Sequence, residues 1–258
     1  MNTRQVREQE FHDQAFAQDV RRSIYKYYRV GKLARDCYLD EILNRCDGKL
    51  ALEYGCGSDG SDSFTLARRG ARVIGVDISP VAISESQFLA KEKGLEDKVS
   101  FLVCDAEKLD FEDGHFDIVV GSGILHHLDL KKSLHEIWRV LRPGGKAVFI
   151  EPLAHNPVIR LYRLITPSLR TRDEHPLVRD DLMLISRGFH DVQFRFFSMI
   201  SLLNCFFASS GFFEKSLSFL NNVDSFLFRF IPATRWMAWQ VLIVASKFSS
   251  GIHEGRVE

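Results

Sequence analysis

The sequence predicts an α/β fold built on a parallel sheet, and two observations favour it. Between residues 49 and 152, short apolar runs alternate with longer amphipathic runs, which is the pattern of repeated βαβ units. The chain has 258 residues, enough for one large α/β domain with a modest appendage. Its 45% hydrophobic and 26% charged residues are typical of a globular protein and exclude global disorder.

Seven strands and three central helices follow from this pattern. The predicted strands are 49–54, 72–76, 99–103, 116–121, 146–151, 191–197 and 239–247. The predicted helices are 61–69, 80–93 and 131–141. Ser79 and Pro80 open the second helix as a typical N-cap and a typical first helical residue.

The chain divides into four parts. Residues 1–48 are expected to form a helical cap, because aromatic residues recur there like the apolar stripes of helices: Phe11, Phe16, Tyr25, Tyr27, Tyr28 and Tyr38. Residues 49–152 form the predicted core, and residues 153–248 complete it. Residues 249–258 are expected to be a frayed tail.

Residues 198–238 form an aromatic insertion before the last predicted strand. They are too many and too apolar for a plain loop, so they must pack on the core, a partner, a membrane surface or an apolar ligand. No residue from Phe196 to Phe213 is charged, and that length approaches a membrane span. Polar residues recur there at helical spacing: Ser198, Ser201, Asn204 and Ser209. This segment is therefore predicted to be an amphipathic helix with one polar face.

Charge and cysteine usage narrow the function classes. The chain has 34 basic and 34 acidic residues, so it lacks the basic surplus that drives nucleic-acid binding. Its five cysteines form no C-x-x-C pair, so neither a disulfide framework nor a metal site is predicted. Residues 1–20 lack the apolar region of a signal peptide, and a cytoplasmic location is expected.

A glycine-rich turn follows the first predicted strand and opens the first predicted helix. Gly55, Gly57 and Gly60 allow a sharp turn and a close approach of the backbone to a ligand, while the helix N-terminus offers free N–H groups. The spacing also fits a dinucleotide site or a purely structural turn. Asp77 ends the second strand 22 residues after Gly55, where its carboxylate can bind ribose hydroxyls or cap the next helix.

Glu53 is harder to explain as a structural residue. A carboxylate at the buried carboxyl end of a central strand is costly unless a cation or a hydrogen-bond donor meets it. A dinucleotide offers no charge there, whereas an ammonium or sulfonium group would meet the need.

Five motifs together resemble the class I S-adenosylmethionine-dependent methyltransferases. They are EYGCG at 53–57, VDIS at 76–79, CDAE at 104–107, FDIV at 116–119 and LRPGG at 141–145. The resemblance covers about two fifths of the chain and is greatest to the branch containing ubiquinone and menaquinone methyltransferases. It implies a Rossmann-like seven-stranded sheet of order 3-2-1-4-5-7-6, flanked by helices. It also implies S-adenosylmethionine as cofactor and S-adenosylhomocysteine as product.

The resemblance also implies roles for individual residues on the first two strands. The turn of Gly55, Cys56 and Gly57 would touch the methionine part and the ribose of the cofactor, with Glu53 beneath it. Asp77 would bind the ribose hydroxyls.

On the other strands, Ile78 would pack on the adenine, Asp105 would accept from its amino group, and Ala106 would supply a backbone contact. Gly121, where the fourth predicted strand ends, would face the methionine end. One departure is noted: relatives often have a glycine two residues after Gly57, where this chain has Asp59.

Two histidines follow the fourth predicted strand, where this superfamily often places acceptor-side residues. A base is needed when the acceptor carries a proton at neutral pH, and histidine suits that task. His127 is the first candidate and His126 the second. The alternative is that the pair only shapes the pocket.

The loop at residues 151–176 borders the edge of the sheet where ligands bind. Its Arg170 and Arg172 either grip a phosphate or carboxylate of an acceptor or pair with Asp173 and Glu174 in a rigid connection.

The sequence thus predicts a methyltransferase that acts on a small molecule, at oxygen or nitrogen first and carbon next. No nucleic-acid partner is expected, and an RNA or protein acceptor is an alternative that the absence of a basic surplus disfavours. The aromatic insertion suggests an apolar or lipid-linked acceptor, a peripheral membrane contact or a dimer contact, or a self-contained helical subdomain. The alternatives are an NAD-dependent oxidoreductase and a noncatalytic scaffold that binds the same cofactor.

Overall fold

The computed structural model describes residues 3–18, 29–44, 46–207 and 210–248. Seven strands form one sheet, and they are β1 (Leu50–Tyr54), β2 (Arg72–Asp77), β3 (Val99–Val103), β4 (Phe116–Ser122), β5 (Leu141–Pro152), β6 (Asp191–Phe197) and β7 (Gln240–Ser246). Their order is β3-β2-β1-β4-β5-β7-β6, which confirms the predicted fold. The first five strands are parallel, and β7 runs antiparallel between β5 and β6.

Helices cover both faces of the sheet. They are α1 (Thr3–Gln18), α2 (Lys32–Leu43), α3 (Ser61–Arg68), α4 (Pro80–Glu92), α5 (Leu130–Val140), α6 (Pro157–Ile165), α7 (Arg179–Gly188) and α8 (Phe213–Phe230). The described residues contain four short 3₁₀ helices, at Leu125–His127, Pro167–Leu169, Ser201–Phe207 and Pro232–Met237. The seven predicted strands and three predicted central helices all form, and most of their ends shift by one residue or none. The exception is β5, which begins at Leu141 and so includes residues 141–145, predicted as a turn.

The central strands are buried on both sides, and their alternate residues supply two separate cores. Leu52 and Val119 point into a core closed by α5 and α7, whereas Ala51 and Val120 point into a core closed by α2, α3 and α4. Successive side chains of a strand face opposite sides of a sheet, so continuous apolar runs are needed here. This arrangement leaves the carboxyl ends of β1 to β5 at one edge of the sheet.

The N-terminal region contains the expected helices where the structure describes it. Tyr38 of α2 is fully buried, and Phe11 of α1 is partly buried. Tyr25, Tyr27 and Tyr28 lie outside the described residues, as does the predicted tail at 249–258. The domain boundaries themselves remain predictions.

The predicted amphipathic helix between Phe196 and Phe213 is wrong. Among the described residues of this segment, β6 ends at Phe197, a 3₁₀ helix spans Ser201–Phe207, and α8 begins at Phe213, while Ser209 lies outside the described residues. Ser201 and Asn204 are buried instead of facing solvent. Their side chains donate hydrogen bonds to other residues of the insertion. None of the described helices is long and apolar enough to cross a membrane.

A buried aspartate on α8 fastens the start of this insertion. Asp224, 2% exposed, accepts hydrogen bonds from the backbone N–H groups of residues 199–201 at 2.8 to 3.1 Å and from the Ser201 hydroxyl at 2.7 Å. Four donors converge on one carboxylate, so the contact between the two segments depends on it.

We expect Asp224→Ala to lower the free energy of unfolding by about 2–4 kcal/mol, because it leaves buried donors without a partner. Urea unfolding followed by circular dichroism measures the change. Asn222→Ala, at an exposed position of the same helix, is the matched control and should change stability by less than about 0.5 kcal/mol. Equal stability of the two variants would contradict the assignment.

Candidate active site

The glycine turn closes against β2 through backbone hydrogen bonds. The N–H groups of Gly55 and Cys56 both donate to the carbonyl of Val76, at 2.9 and 3.0 Å. Gly55 has φ 75° and Gly57 has φ 58°, a left-handed conformation that favours glycine. A Cβ atom at Gly55 would lie 2.6 Å from side-chain carbons of Ile124. The turn therefore brings bare backbone to the edge of the sheet.

Gly60 lies one residue after the position where relatives often have a third glycine. It has φ 49° and is the N-cap of α3. A Cβ atom there would lie 2.7 Å from the ring of Phe101. The departure noted at Asp59 is thus accompanied by a glycine one residue later, which lets the chain turn into the helix.

Glu53 lies at the end of β1 and is 4% exposed. Its Oε2 accepts from the backbone N–H of Ser63 at 2.9 Å and from the Ser63 hydroxyl. Burial raises the pKa of Glu53 well above that of an ordinary glutamate, and the nearby carboxylate of Asp62 raises it further. A carboxylate buried at this position needs a donor or a cation, and Ser63 in the first turn of α3 supplies two donors.

A second buried carboxylate belongs to the same helix turn. Asp62, 1% exposed, pairs with the guanidinium of Arg35 and accepts from the Tyr38 hydroxyl at 2.8 Å. Both partners lie on α2, so this contact attaches α2 to the start of α3. It also brings the positive charge of Arg35 close enough to Glu53 for the two charges to attract each other.

Asp77 ends β2 and bridges the glycine turn to the next helix. Its Oδ2 accepts from the N–H of Gly57 at 2.9 Å, and its Oδ1 accepts from the N–H of Ser79 at 2.9 Å. Ser79 is the N-cap of α4, as predicted, and accepts from the N–H of Ala82. Each carboxylate oxygen of Asp77 retains a lone pair for a further donor.

Asp105 follows β3 and holds the next loop. Its Oδ1 accepts from the N–H of Glu107 at 2.9 Å, and its Oδ2 accepts from the side-chain amide of Gln5 at 2.7 Å. Ala106, beside it, accepts from the hydroxyl of buried Tyr54 through its carbonyl.

Ile78 and Gly121 complete the predicted set. Ile78 is partly buried just after β2. Gly121 is buried in β4, which continues to Ser122, and a Cβ atom there would lie 2.6 Å from the ring of Phe149. The structure thus brings the carboxyl ends of β1 to β4 together around the glycine turn.

Sequence reasoning missed that α1 lies across this edge through polar side chains. Besides Gln5, Arg4 pairs with Glu107 and donates to the carbonyl of His127. The hydroxyl of Ser79 bonds Asp13. The aromatic spacing indicated a helix in this region, but it gave no signal for polar contacts so far apart in the chain.

His126 and His127 are each paired with a carboxylate. The Nδ1 atom of buried His126 lies 2.7 Å from Oε2 of Glu151, whose Oε1 accepts from the N–H groups of Ile124 and Leu125 at 2.9 Å. The Nδ1 atom of His127 lies 3.0 Å from Oε2 of Glu8. Each ring is therefore fixed in orientation through one nitrogen.

Glu8 on α1 gathers several partners. In addition to its contact with His127, the Glu8 carboxylate accepts a hydrogen bond from the hydroxyl of Thr171. Its Oε2 atom lies 3.6 Å from Nε2 of His12. Burial alone would raise the pKa of Glu8, but hydrogen bonds from His12, His127 and Thr171 outweigh it and hold the pKa well below its ordinary value. The charged form of Glu8 thus fastens α1 to the loop after β5.

The two arginines singled out in that loop do not pair with the neighbouring carboxylates as the alternative expected. Asp173 pairs with Arg7 of α1, and Glu174 pairs with Arg163 of α6. The guanidinium of Arg170 instead donates to the carbonyl of Arg163. The carboxylates of this loop therefore connect it to α1 and α6. Patterns of neighbouring residues in the sequence do not predict such pairs.

Comparison with known proteins identifies the central region. Residues 52–149 match the family described as "Methyltransferase domain". The chain is 34% identical over 140 residues to a probable chloroplastic tocopherol O-methyltransferase of Oryza sativa, covering 54% of this chain and 35% of that protein. It is 30% identical over 158 residues to a ubiquinone biosynthesis O-methyltransferase of Alkalilimnicola ehrlichii, covering 60% and 58%.

A solved structure agrees with the fold. Geranyl diphosphate C-methyltransferase from Streptomyces coelicolor, in complex with Mg²⁺, geranyl-S-thiolodiphosphate and S-adenosylhomocysteine, superposes with a TM-score of 0.59 at 20% identity. The match covers 83% of this chain and 75% of that chain. The chain spans about a third to three fifths of the length of the two relatives above. The family match shows that residues 52–149 are similar to a methyltransferase domain, and the strand order and these relatives agree with the class I S-adenosylmethionine-dependent methyltransferases.

Proposed function

We propose that this protein transfers the methyl group of S-adenosylmethionine to a small-molecule acceptor, at oxygen or nitrogen in preference to carbon. The observation that carries the proposal is the set of three carboxylates, Glu53, Asp77 and Asp105, around the glycine turn at the ends of three adjacent strands. A cofactor with a cationic methionine end, a ribose and an adenine has complementary groups for all three. NAD-dependent hydride transfer requires neither Glu53 nor Asp105, and a noncatalytic scaffold gains no support from the relatives.

The cofactor fits the residues that are present. Gly55, Cys56 and Gly57 would contact the methionine part and the ribose, since the glycines leave backbone without side chains there. Asp77 would accept from the ribose hydroxyls with its remaining lone pairs, while Glu53 would lie beneath the methionine end.

The adenine end would meet the loops after β2 and β3. Ile78 would pack on the ring, Asp105 would accept from the adenine amino group, and Ala106 would supply a backbone contact. Gly121 would face the methionine end from β4. Gln5 already donates to Asp105, so the adenine amino group would share that carboxylate with the amide or displace it.

The bound cofactor supplies an electrophilic methyl group, so the protein mainly aligns the acceptor and excludes water. We assign the role of general base to His127 first and His126 second. Each has a carboxylate on Nδ1, which leaves Nε2 to take a proton from an acceptor. An acceptor without a proton to lose would need neither.

We further propose an apolar or lipid-linked acceptor. Several aromatic and aliphatic residues of the C-terminal segments are exposed, namely Leu161, Leu164, Ile165, Phe206, Phe207, Phe212, Phe219, Phe226 and Phe230. Exposed apolar residues in this number suit a membrane surface or a second copy of the chain. An apolar cleft of about 440 Å³ lies instead between the edge strand β6 and residues 232–236, far along the sheet from the glycine turn, and we do not assign the acceptor to it.

Liposome flotation and light scattering test this surface. Wild-type protein should float with liposomes or run as a dimer, and Phe212→Ser with Phe219→Ser should reduce whichever is found. A monomer that neither floats nor retains apolar ligands would remove the proposal. That result would also contradict the proposed peripheral contact with a membrane and leave only the expected cytoplasmic location.

Calorimetric titration with S-adenosylhomocysteine, beside NADH, tests the function itself. Binding of the first alone supports the cofactor and justifies a screen of quinones, phenols and lipid-linked acceptors for methylated product. Binding of NADH alone would overturn the proposal.

The raised pKa of Glu53 makes a prediction about cofactor binding. Donors of the bound cofactor favour the ionised carboxylate, so binding should release a proton, and affinity should rise with pH by up to about tenfold per unit until the free-state pKa is passed. Titrations of S-adenosylhomocysteine between about pH 5 and pH 8, in two buffers of different ionisation enthalpy, measure this. Glu53→Gln should lose the dependence, and an unchanged slope in that variant would exclude Glu53 as its source.

A further inference from the structure

Three carboxylates surround the histidine pair, and the described residues balance them only partly. Glu8 and Glu151 are 5% and 1% exposed, and the side chain of Glu174 is 11% exposed. Arg163 pairs with Glu174, whereas Arg4 is engaged by Glu107. With both imidazoles neutral, this part of the described structure retains about two uncompensated negative charges. Buried charges are costly unless a cation or a proton balances them.

The two imidazoles are held as metal-binding histidines usually are. Such a histidine donates its second ring N–H to a carboxylate, which fixes the ring and raises the basicity of the ligating nitrogen. His126 has this partner in Glu151 at 2.7 Å, and His127 has it in Glu8 at 3.0 Å. In each ring the Nδ1 atom is engaged, and Nε2 is the nitrogen left for a ligand.

The third donor is the carboxylate of Glu174. Its Oε1 lies 3.9 Å from Nε2 of His126, and the donor atoms of His126, His127 and Glu174 all lie within 4.8 Å of one another. Ligands of a tetrahedral Zn²⁺ ion at about 2.0 Å are separated by about 3.3 Å. Movements of side chains by about 1 Å would therefore close the site.

We propose that His126, His127 and Glu174 bind a divalent transition-metal ion, with Zn²⁺ the best match to two imidazoles and one carboxylate. The ion balances the surplus negative charge. A second group, Glu8, His12 and His127, is equally compact. We favour the group of His126, His127 and Glu174, because the carboxylate of Glu8 already has three partners. In the favoured group, both histidines are oriented by carboxylates that are not themselves ligands.

The position gives the ion a role on the acceptor side of the site. The histidines follow β4 beside Gly121, which we have placed against the methionine end of the cofactor. Three protein ligands leave a coordination position open, and an acceptor oxygen can occupy it. This role rests on the proposed function and would replace a histidine base, because an Nε2 atom that binds the ion has no lone pair left to accept a proton. Metal binding itself does not rest on the proposed function.

The test uses the full chain without a histidine tag, treated with EDTA and dialysed. Titration with Zn²⁺ by calorimetry should give one site, and Co²⁺ should give the visible absorption of a four- or five-coordinate ion. His126→Gln and Glu174→Gln should each weaken Zn²⁺ binding by at least about tenfold. His155→Gln, an exposed histidine on the loop after β5, is the matched control and should bind as the wild type does.

Each remaining outcome decides the proposal. Absence of Zn²⁺ binding, or wild-type affinity in both ligand variants, overturns it. Weakening by His12→Gln without weakening by Glu174→Gln assigns the ion to the other group and overturns this one. Each sample is also titrated with S-adenosylhomocysteine, which reports folding and the proposed cofactor separately from the metal. If His126→Gln does not fold, the less buried Glu174→Gln decides.

Discussion

Asp77→Ala is expected to weaken the binding of S-adenosylhomocysteine by at least about a hundredfold. Two hydrogen bonds from ribose hydroxyls to a carboxylate would be lost, at about 1.5–3 kcal/mol each. The same change removes the acceptors for the N–H groups of Gly57 and Ser79, so the glycine turn would lose its tie to α4 as well.

Calorimetry measures the affinity, and thermal unfolding separates binding from stability. Asp77→Asn keeps the shape and one carbonyl acceptor, so it should retain the turn better than Asp77→Ala while still losing affinity. Asp97→Ala is the control, since Asp97 is exposed in the loop between α4 and β3, at the opposite edge of the sheet. Wild-type affinity in a folded Asp77→Ala protein would remove this residue from the proposed site.

His127→Ala is expected to lower kcat by about 10²–10⁴-fold with a proton-bearing acceptor, while cofactor affinity stays within about twofold. The proposed base acts on the acceptor and not on the cofactor, so the two quantities should separate. The loss should exceed that of His126→Ala, because His127 is the first candidate.

The pH dependence of kcat/KM distinguishes a base from a residue that only shapes the pocket. Loss of the limb that reports the essential base, with the folded state intact by circular dichroism, supports the chemical role. If His127→Ala keeps both the limb and the rate, His127 lines the pocket only. His175→Ala is a suitable control on the neighbouring loop, because the side chain of His175 is exposed.

Much of the fold could be predicted because it depends on local signals. The strand at 99–103 and the helix opened by Ser79 and Pro80 are specified by patterns of a few residues, and both form as expected. The segment from Phe196 to Phe213 could not be predicted in this way. Its polar residues follow a helical period, yet Ser201 and Asn204 are used for buried contacts with α8, more than eight residues away in the chain.

In the candidate site, too, residues in contiguous motifs could be predicted and their distant partners could not. The glycine turn and the carboxylates after β1 to β3 are contiguous motifs, so each residue could be named in advance. The carboxylate partners of the two histidines could not, because Glu8 and Glu151 are 119 and 25 residues away from them. No periodicity or spacing relates residues that meet only when α1 lies across the sheet.

The position of α1 has a consequence for the kinetics of turnover. Gln5, Arg4 and Glu8 connect this one helix to the loop after β3 and to Thr171 beyond α6, so a ligand bound beneath the helix would be released when those contacts break. Undocking of the helix, and not methyl transfer, would then set the steady-state rate. A burst of product in the first turnover, followed by a slower phase that accelerates as added salt weakens the ion pairs, is how such a rate-limiting release would show itself.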